Sequence, residues 1–199
     1  MKTCVIIAGG EFHTKFASLY IKQKYKGNRP DLVIAADTGM QYALDINLIP
    51  DLIVGDYDSV NPEILKQVSG MENVRNLRFP PEKNYTDTHL ALVSAIREKA
   101  EDICVLAATG TRLDHVQANI GLLKTCMDTG IAAELVDPYN RIRMIRDSLT
   151  IEKEKQFGTQ VSLIPYSDQV TGITLQGFYY PLCNAVFSKN TYHQQCHYG

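Results

Sequence analysis

Two aspartates one residue apart follow an apolar run in the stretch LIVGDYDSV, residues 52–60. Burying an unpaired carboxylate costs free energy, so a hydrophobic strand that ends in Asp56 and Asp58 needs an explanation. One interpretation is a turn with a helix cap, in which Ser59 takes part. The other is a site for a divalent cation, because both acidic side chains point the same way if the backbone stays extended. Taken alone, the pattern favours the turn.

Other polar side chains also follow apolar runs, at the points where those runs end. They are Asp37, Asp87, Asp137 and Asn140. In an open parallel sheet, ligands bind outside the carboxyl ends of the strands. We therefore expect these residues to share one site. Asp56, Asp58 and Asp87 suit Mg²⁺, which prefers hard oxygen ligands and usually keeps phosphate oxygens among them.

Glycines occur in the same predicted loops. Gly10, Gly39 and Gly110 would let backbone N–H groups approach a phosphate closely, although turns also use glycine for its backbone freedom. The chain contains neither a GxxxxGK[ST] loop nor a GxGxxG loop. Their absence excludes a P-loop NTPase and a standard dinucleotide-binding protein.

Cationic side chains near the predicted loops have two interpretations. Arg112 lies beside Asp114 and His115 at a predicted helix start, where it could contact phosphate or form a surface ion pair of little energetic value. Lys83 has the same two interpretations. A histidine is more often structural than catalytic, so we assign His115 a binding role only.

Short apolar runs alternate with longer segments of helical periodicity up to about residue 136. The runs are TCVIIA, DLVIAAD, DLIVGD, ICVLAA and AAELVD. Runs that are apolar on both faces are typical of buried parallel strands. THLALVSAIREKA and RLDHVQANIGLLKTCMDTG have helical spacing, and Thr86 is a plausible N-cap of the first. The pattern predicts an α/β domain, residues 1–138, with a parallel sheet and crossover helices.

The pattern changes after Asp137. RIRMIRD, LTIEKE, TQVSLIPYS and GITLQGFYYPL read as short strands separated by Gly, Asp, Ser and Pro, without helical periodicity. They predict a small all-β domain over residues 139–199. The boundary is expected in DPYNR.

The composition excludes several classes of protein. Hydrophobic residues make up 45% of the 199, and the net charge of −2 includes no long basic run, so neither nucleic acid nor an anionic membrane is an expected partner. Five cysteines without a CxxC pair favour a reducing, cytoplasmic setting. The N-terminal apolar stretch is too short for a signal peptide, and no stretch is long enough to span a membrane.

The motifs in order resemble those of the thiamine pyrophosphokinase family. AADTG, GDYDS, EKNYTD, TGTRLDH and DPYNRIR are followed by GFYYPLCNA, so the resemblance extends to about residue 187. It implies a nucleotide-binding α/β domain followed by a β-sandwich domain, and a homodimer with thiamine at the interface. It also implies Mg²⁺-dependent transfer of a diphosphoryl group from ATP to thiamine, giving thiamine diphosphate and AMP.

The resemblance assigns roles to particular positions. Asp56, Asp58 and Asp87 would be catalytic and hold Mg²⁺ against the triphosphate, and either Asp58 or Asp87 could accept the thiamine hydroxyl proton. The predicted nucleotide-binding residues are Gly10, Asp37, Gly39, Ser59, Lys83, Thr86, Gly110, Arg112, Asp114, His115 and Asn140. Such a transfer needs in-line positioning and neutralised charge, and no nucleophilic Ser or Cys.

Two features leave other functions open. Asn84 stands where the family usually has Asp, and the chain ends in VFSKNTYHQQCHYG instead of the family's segment with Ser-Asn-Glu. The alternative is a catalytically impaired nucleotide-binding protein that acts as a sensor or scaffold. A Mg²⁺-dependent phosphohydrolase ranks last, because no clear general base for water is present.

Overall fold

A computed structural model describes residues 1–79 and 85–189, together with the backbone of residues 195–197. The chain divides into two compact units, Met1–Ser148 and Leu149–Gly199. In chain order, the first unit consists of β1 (Thr3–Ile7), α1 (Thr14–Lys24), β2 (Leu32–Ala36), α2 (Gly39–Asp45), β3 (Leu52–Gly55), α3 (Pro62–Ser69), β4 (Arg75–Arg78), α4 (Asp87–Arg97), β5 (Asp102–Leu106), α5 (Leu113–Asp128), β6 (Ala132–Val136) and β7 (Arg141–Arg143).

One seven-stranded sheet organises the first unit. Its strand order is β4-β3-β2-β1-β5-β6-β7. The first six strands in this order pair in parallel, and β7 pairs antiparallel with β6. The carboxyl ends of the parallel strands therefore share one edge of the sheet, which we call the carboxyl edge.

The five apolar runs predicted as buried parallel strands are confirmed as β1, β2, β3, β5 and β6. Their central residues are fully buried, as in Val5, Ile34 and Ile53. Cys4 and Cys104 are buried free thiols within β1 and β5, as expected of core cysteines, and burial raises the pKa of both. Because both faces of the sheet are buried, these five strands are apolar at successive positions instead of alternating with polar residues.

Local capping signals determine where two helices begin. The Thr86 hydroxyl accepts a hydrogen bond from the His89 backbone N–H at 3.2 Å, which confirms the predicted N-cap of α4. Asn61 caps α3 in the same way, accepting from the Glu63 N–H at 2.9 Å, and Pro62 occupies the first helical position. Within the part of the chain described, no helix has the length and apolar character needed to cross a membrane.

The segment RIRMIRD differs from its prediction as the first strand of the second domain. Its β7 portion instead pairs with β6, in a register that places Arg143 opposite Glu134. Arg143 Nε donates to Glu134 Oε2 at 2.9 Å, so an ion pair joins β7 to the larger sheet. As a result the compact units divide after Ser148, later than the predicted boundary after residue 138.

The second unit is a small antiparallel β structure. In chain order it contains a 3-10 turn (Lys153–Lys155) and strands β8 (Gln160–Ser162), β9 (Gln169–Leu175), β10 (Leu182–Ser188) and β11 (Gln195–His197). β9 pairs with β10 and β8 with β11. A mostly parallel sheet followed by a small antiparallel β unit confirms the predicted fold class. LTIEKE was predicted as a strand, but it leads into the 3-10 turn.

Candidate active site

Two neighbouring strands carry aspartates at the carboxyl edge. β2 ends at Ala36 and is followed by Asp37, while β3 ends at Gly55 and is followed by Asp56. β2 and β3 are hydrogen-bonded in parallel, and the Asp37 N–H donates to the Val54 carbonyl at 2.9 Å. Strand pairing therefore brings together two acids that are distant in sequence.

Three carboxylates form an acidic cluster at this edge. One oxygen from each of Asp37, Asp56 and Asp58 lies within 4.8 Å of the others. Asp37 and Asp56 are half-buried, and Asp58 is exposed. Oxygen ligands converging on this scale fit the donor set that a hard divalent cation requires.

Asp37 is the most constrained member of this acidic cluster. Its Oδ1 atom is buried and has no hydrogen-bond partner among the described residues. Burial raises the pKa of Asp37 above its usual value, and the negative charges of Asp87, Asp56 and Asp58 raise it further. A bound cation would satisfy the buried oxygen and relieve the repulsion, so these residues fit a metal ion.

Asp87 lies next to the cluster without belonging to it. It occupies the first turn of α4, directly after the cap Thr86, and its charge acts on Asp37. The predicted metal set was Asp56, Asp58 and Asp87. Among the described residues, the close group instead contains Asp37 in place of Asp87. The resemblance placed Asp37 in the nucleotide pocket, and nothing in its local sequence pattern reveals that β2 and β3 are neighbours.

The loop after β3 does not continue the extended backbone of the strand. Tyr57 has φ of 67°, a left-handed conformation, so the condition under which Asp56 and Asp58 would point the same way from an extended segment is not met. The chain turns there, the Asp58 N–H donates to Asp56 Oδ1 at 3.2 Å, and the Ser59 hydroxyl donates to Asp58 Oδ1 at 2.8 Å. None of these residues caps a helix, since Asn61 caps α3. The loop is thus a turn that also gathers carboxylates.

Two of the predicted phosphate-binding glycines have a packing role. A side chain at Gly10 would place its Cβ 2.3 Å from the Thr109 carbonyl oxygen, and one at Gly39 would lie 2.0 Å from that of Ile7. The Gly10 N–H also donates to the Ala107 carbonyl at 2.7 Å. At Gly10 the loops after β1 and β5 therefore approach too closely for a side chain. At Gly39 the start of α2 is equally close to the end of β1. Contact of Gly10, Gly39 and Gly110 with phosphate stays a prediction.

Arg112, Asp114 and His115, at the start of α5, lie on the surface. Arg112 donates to both carboxylate oxygens of Asp114, at 2.6 Å and 3.3 Å, and this hydrogen bonding lowers the pKa of Asp114. His115 Nε2 is 3.9 Å from the same carboxylate. All three side chains are exposed, which is the arrangement of a surface pair. Their contact with a nucleotide stays a prediction.

The β6–β7 turn is held by the buried Asp137, which was expected to share the site at the strand ends but was given no individual role there. Asp137 Oδ1 accepts from the N–H groups of Tyr139 and Asn140, each at 2.7 Å. The Asn140 amide donates to both carboxylate oxygens, at 3.1 Å and 3.2 Å. Asn140, predicted in the nucleotide pocket, is therefore held by Asp137. An aspartate followed by proline at a strand end is the signal that indicates such a turn.

The last predicted residue, Lys83, lies outside the described residues, as does Asn84.

Family models match both units of the chain. One described as the thiamin pyrophosphokinase catalytic domain matches residues 24–135, and one described as the thiamin pyrophosphokinase vitamin B1 binding domain matches residues 148–191. The first match covers more than half of the chain and contains the whole acidic cluster.

Similar proteins agree with these matches. A thiamine pyrophosphokinase of Bacillus subtilis (strain 168) is 32% identical over 185 residues, covering 92% of this chain and 83% of the relative. A crystal structure of thiamine pyrophosphokinase from Bacillus subtilis superposes with a TM-score of 0.82 at 29% identity, covering 99% of this chain and 90% of that one. The thiamin pyrophosphokinase structure from Geobacillus thermodenitrificans gives 0.79 at 28% identity, covering 98% and 87%. The chain therefore belongs to the thiamin pyrophosphokinase family.

Proposed function

We propose that this protein is an ATP:thiamine diphosphotransferase. It transfers the diphosphoryl group of ATP to the hydroxyethyl oxygen of thiamine and releases AMP. The observation that carries the proposal is the convergence of Asp37, Asp56 and Asp58 at the carboxyl edge, in a chain whose two units match the catalytic and vitamin B1 binding models in turn.

The proposal includes Mg²⁺ as the cofactor. Asp37, Asp56 and Asp58 would hold the ion, and the buried Oδ1 of Asp37, which has no partner in the part of the chain that the structure describes, supports that assignment. When bound, the ion supplies neutralisation of the triphosphate charge.

The chain's own residues would bind and orient the two substrates. Arg112 would exchange Asp114 for phosphate oxygens, since both are acceptors suited to its guanidinium. Asp87 would accept the proton of the thiamine hydroxyl, because it lies beside the metal ligands and is not one of the three that converge. This assignment favours Asp87 over Asp58 as the base.

An assay with ATP, Mg²⁺ and thiamine that separates AMP from ADP tests the proposal. AMP and thiamine diphosphate are expected in equal amounts, and Asp56→Ala or Asp58→Ala should abolish turnover without unfolding the protein. Formation of ADP, or of neither product, contradicts it. The alternative of an impaired sensor or scaffold predicts ATP binding in a calorimeter without turnover, and the family comparisons give that alternative no support.

The proposal also includes a homodimer that works in the cytoplasm. None of the described residues of the second unit is buried, while the first unit has an extensive buried core. A unit of about fifty residues seldom folds without a buried core or a partner, so we infer that a second copy of the chain covers this surface. The buried free thiols of Cys4, Cys104 and Cys126 suit a reducing compartment.

A further inference from the structure

Tyr57 lies between Asp56 and Asp58 and has a backbone conformation that side chains disfavour. Its φ of 67° is in the left-handed region, where Cβ crowds the neighbouring carbonyl oxygen. Glycine usually occupies such positions. A tyrosine persists there only if its surroundings hold it.

Contacts of the Tyr57 side chain stabilise this backbone conformation. The ring is buried in an apolar cluster with Ile53, Met40 and other residues packed between α2, α3 and the sheet. Its hydroxyl donates to Asn76 Oδ1 on β4 at 2.7 Å and lies 3.2 Å from the Ile53 carbonyl oxygen. The ring also folds back over Gly55, where an added Cβ would lie 3.2 Å from two ring carbons.

The left-handed turn at Tyr57 joins two acids whose carboxylates converge. The Asp58 N–H donates to Asp56 Oδ1 at 3.2 Å, and one carboxylate oxygen of each acid lies within 4.8 Å of the other and of one from Asp37. The backbone of Tyr57 therefore determines the direction of two of the three clustered acids.

We propose that Tyr57 is a positioning residue for the metal ligands, because its anchored ring holds the turn that aims Asp56 and Asp58 toward Asp37. This inference rests on the proposed function only through the metal site. A tyrosine that merely fills the core would affect stability and leave metal affinity unchanged.

Binding of Mn²⁺ alone, used as a probe for Mg²⁺ and followed by electron paramagnetic resonance on the full chain, tests the proposal. Tyr57→Ala and Tyr57→Gly both remove the ring, but only glycine adopts positive φ without strain. We expect Tyr57→Ala to weaken Mn²⁺ binding more than about tenfold, and Tyr57→Gly to bind about fivefold more tightly than Tyr57→Ala. Tyr57→Phe, which keeps the ring and loses the hydroxyl, should bind about fivefold more weakly than wild type.

Tyr20→Phe is the matched control. This variant also loses one tyrosine hydroxyl hydrogen bond, the one to Glu134 at 2.8 Å, which lies away from the acidic cluster. It should lower the melting temperature and leave Mn²⁺ binding unchanged.

Equal Mn²⁺ affinity in wild type and all Tyr57 variants overturns the positioning role alone. If wild type binds no Mn²⁺, the metal site and the positioning role fall together. Should Tyr57→Ala and Tyr57→Gly not fold, wild-type affinity in Tyr57→Phe overturns the role.

Discussion

Asp37 combines three properties that seldom occur together outside a binding site. It is half-buried, one of its oxygens has no hydrogen-bond partner among the described residues, and three other aspartates act on its charge. Each property costs folding free energy. A cation bound between the carboxylates would offset these three costs. The properties of Asp37 therefore favour a metal-binding role over a purely structural one.

Asp37→Asn should therefore separate stability from metal binding. Removing one charge from the repelling group should keep or raise the melting temperature of the protein in EDTA. The stabilisation that Mg²⁺ adds should disappear, and turnover should fall by more than about 100-fold, the upper range for residues that only support a metal ligand. Thermal melts with and without Mg²⁺ measure the first two effects. If Mg²⁺ stabilises the variant as much as wild type, Asp37 is not a ligand.

At the scale of single elements, a helix cap and a buried ion pair stabilise α4 and β6. Thr86 starts α4 and thereby fixes where Asp87 lies. On the other side of the sheet's centre, Glu134 of β6 is almost fully buried and binds α1 and β7 to the sheet. The Thr86 cap lies beside the acidic cluster, whereas the Glu134 contacts stabilise the sheet away from it.

Thr86→Ala should lower the free energy of unfolding by about 1 kcal/mol, because the His89 N–H loses its acceptor. Thr86→Ser keeps a hydroxyl at the same position and should restore most of that loss. Urea denaturation of the three proteins measures the difference. Equal stability of the alanine and serine variants would contradict the capping role.

Glu134→Gln should lower the free energy of unfolding by about 3 kcal/mol at neutral pH. Glu134 pairs with Lys24 at 3.0 Å and accepts from Tyr20 and Arg143. The neutral variant therefore removes the carboxylate charge that Arg143 pairs with and leaves Lys24 paired with Asp102, at 2.9 Å. Asp128→Asn, which breaks exposed pairs with Lys124 and Arg146, is the control and should cost less than about 1 kcal/mol.

The difference between wild type and Glu134→Gln should also depend on pH. Burial by itself would raise the pKa of Glu134, but Lys24 and Arg143 outweigh it and hold that pKa below its usual value. A lowered folded-state pKa contributes stability that is complete above the unfolded value of 4.5 and is lost as pH falls through the folded value. Urea denaturation across this acidic range should show the two proteins converging. A constant difference would argue against the ion pair as its cause.

At the scale of the whole molecule, the two units differ in how they bury apolar surface. The first has a core on both faces of its sheet. In the second, large apolar side chains are exposed, among them Ile164 at 76% and Tyr179 at 68%. We propose that these exposed side chains belong to the interface between two copies of the chain.

Ile164→Asp should shift the protein from dimer to monomer, because a charge would be buried in the proposed interface between copies. Sedimentation velocity measures the change. Leu19→Asp, at a comparably exposed position of α1 in the first unit, is the control and should leave the protein dimeric. A wild-type monomer, or a dimer that survives Ile164→Asp unchanged, would contradict the proposed interface.

Much of the fold could be predicted because it depends on local pattern. The apolar runs that became β1, β2, β3, β5 and β6 are buried on both faces, which a sequence shows directly. The cap at Thr86 and the gathering of acids after strands are also local signals. By contrast, β4 and β7 are short edge strands with half-polar sequences, and their pairing depends on neighbours far along the chain.

The sequence by itself determined the chemistry available to this protein: carboxylates at the ends of buried parallel strands, and a second β unit. Only the tertiary structure decided that Asp37 joins Asp56 and Asp58, because that grouping requires β2 and β3 to be neighbours. It also decided the left-handed turn at Tyr57, which depends on a ring buried between distant segments. Residue type is a local property, whereas convergence of side chains follows from which strands pair.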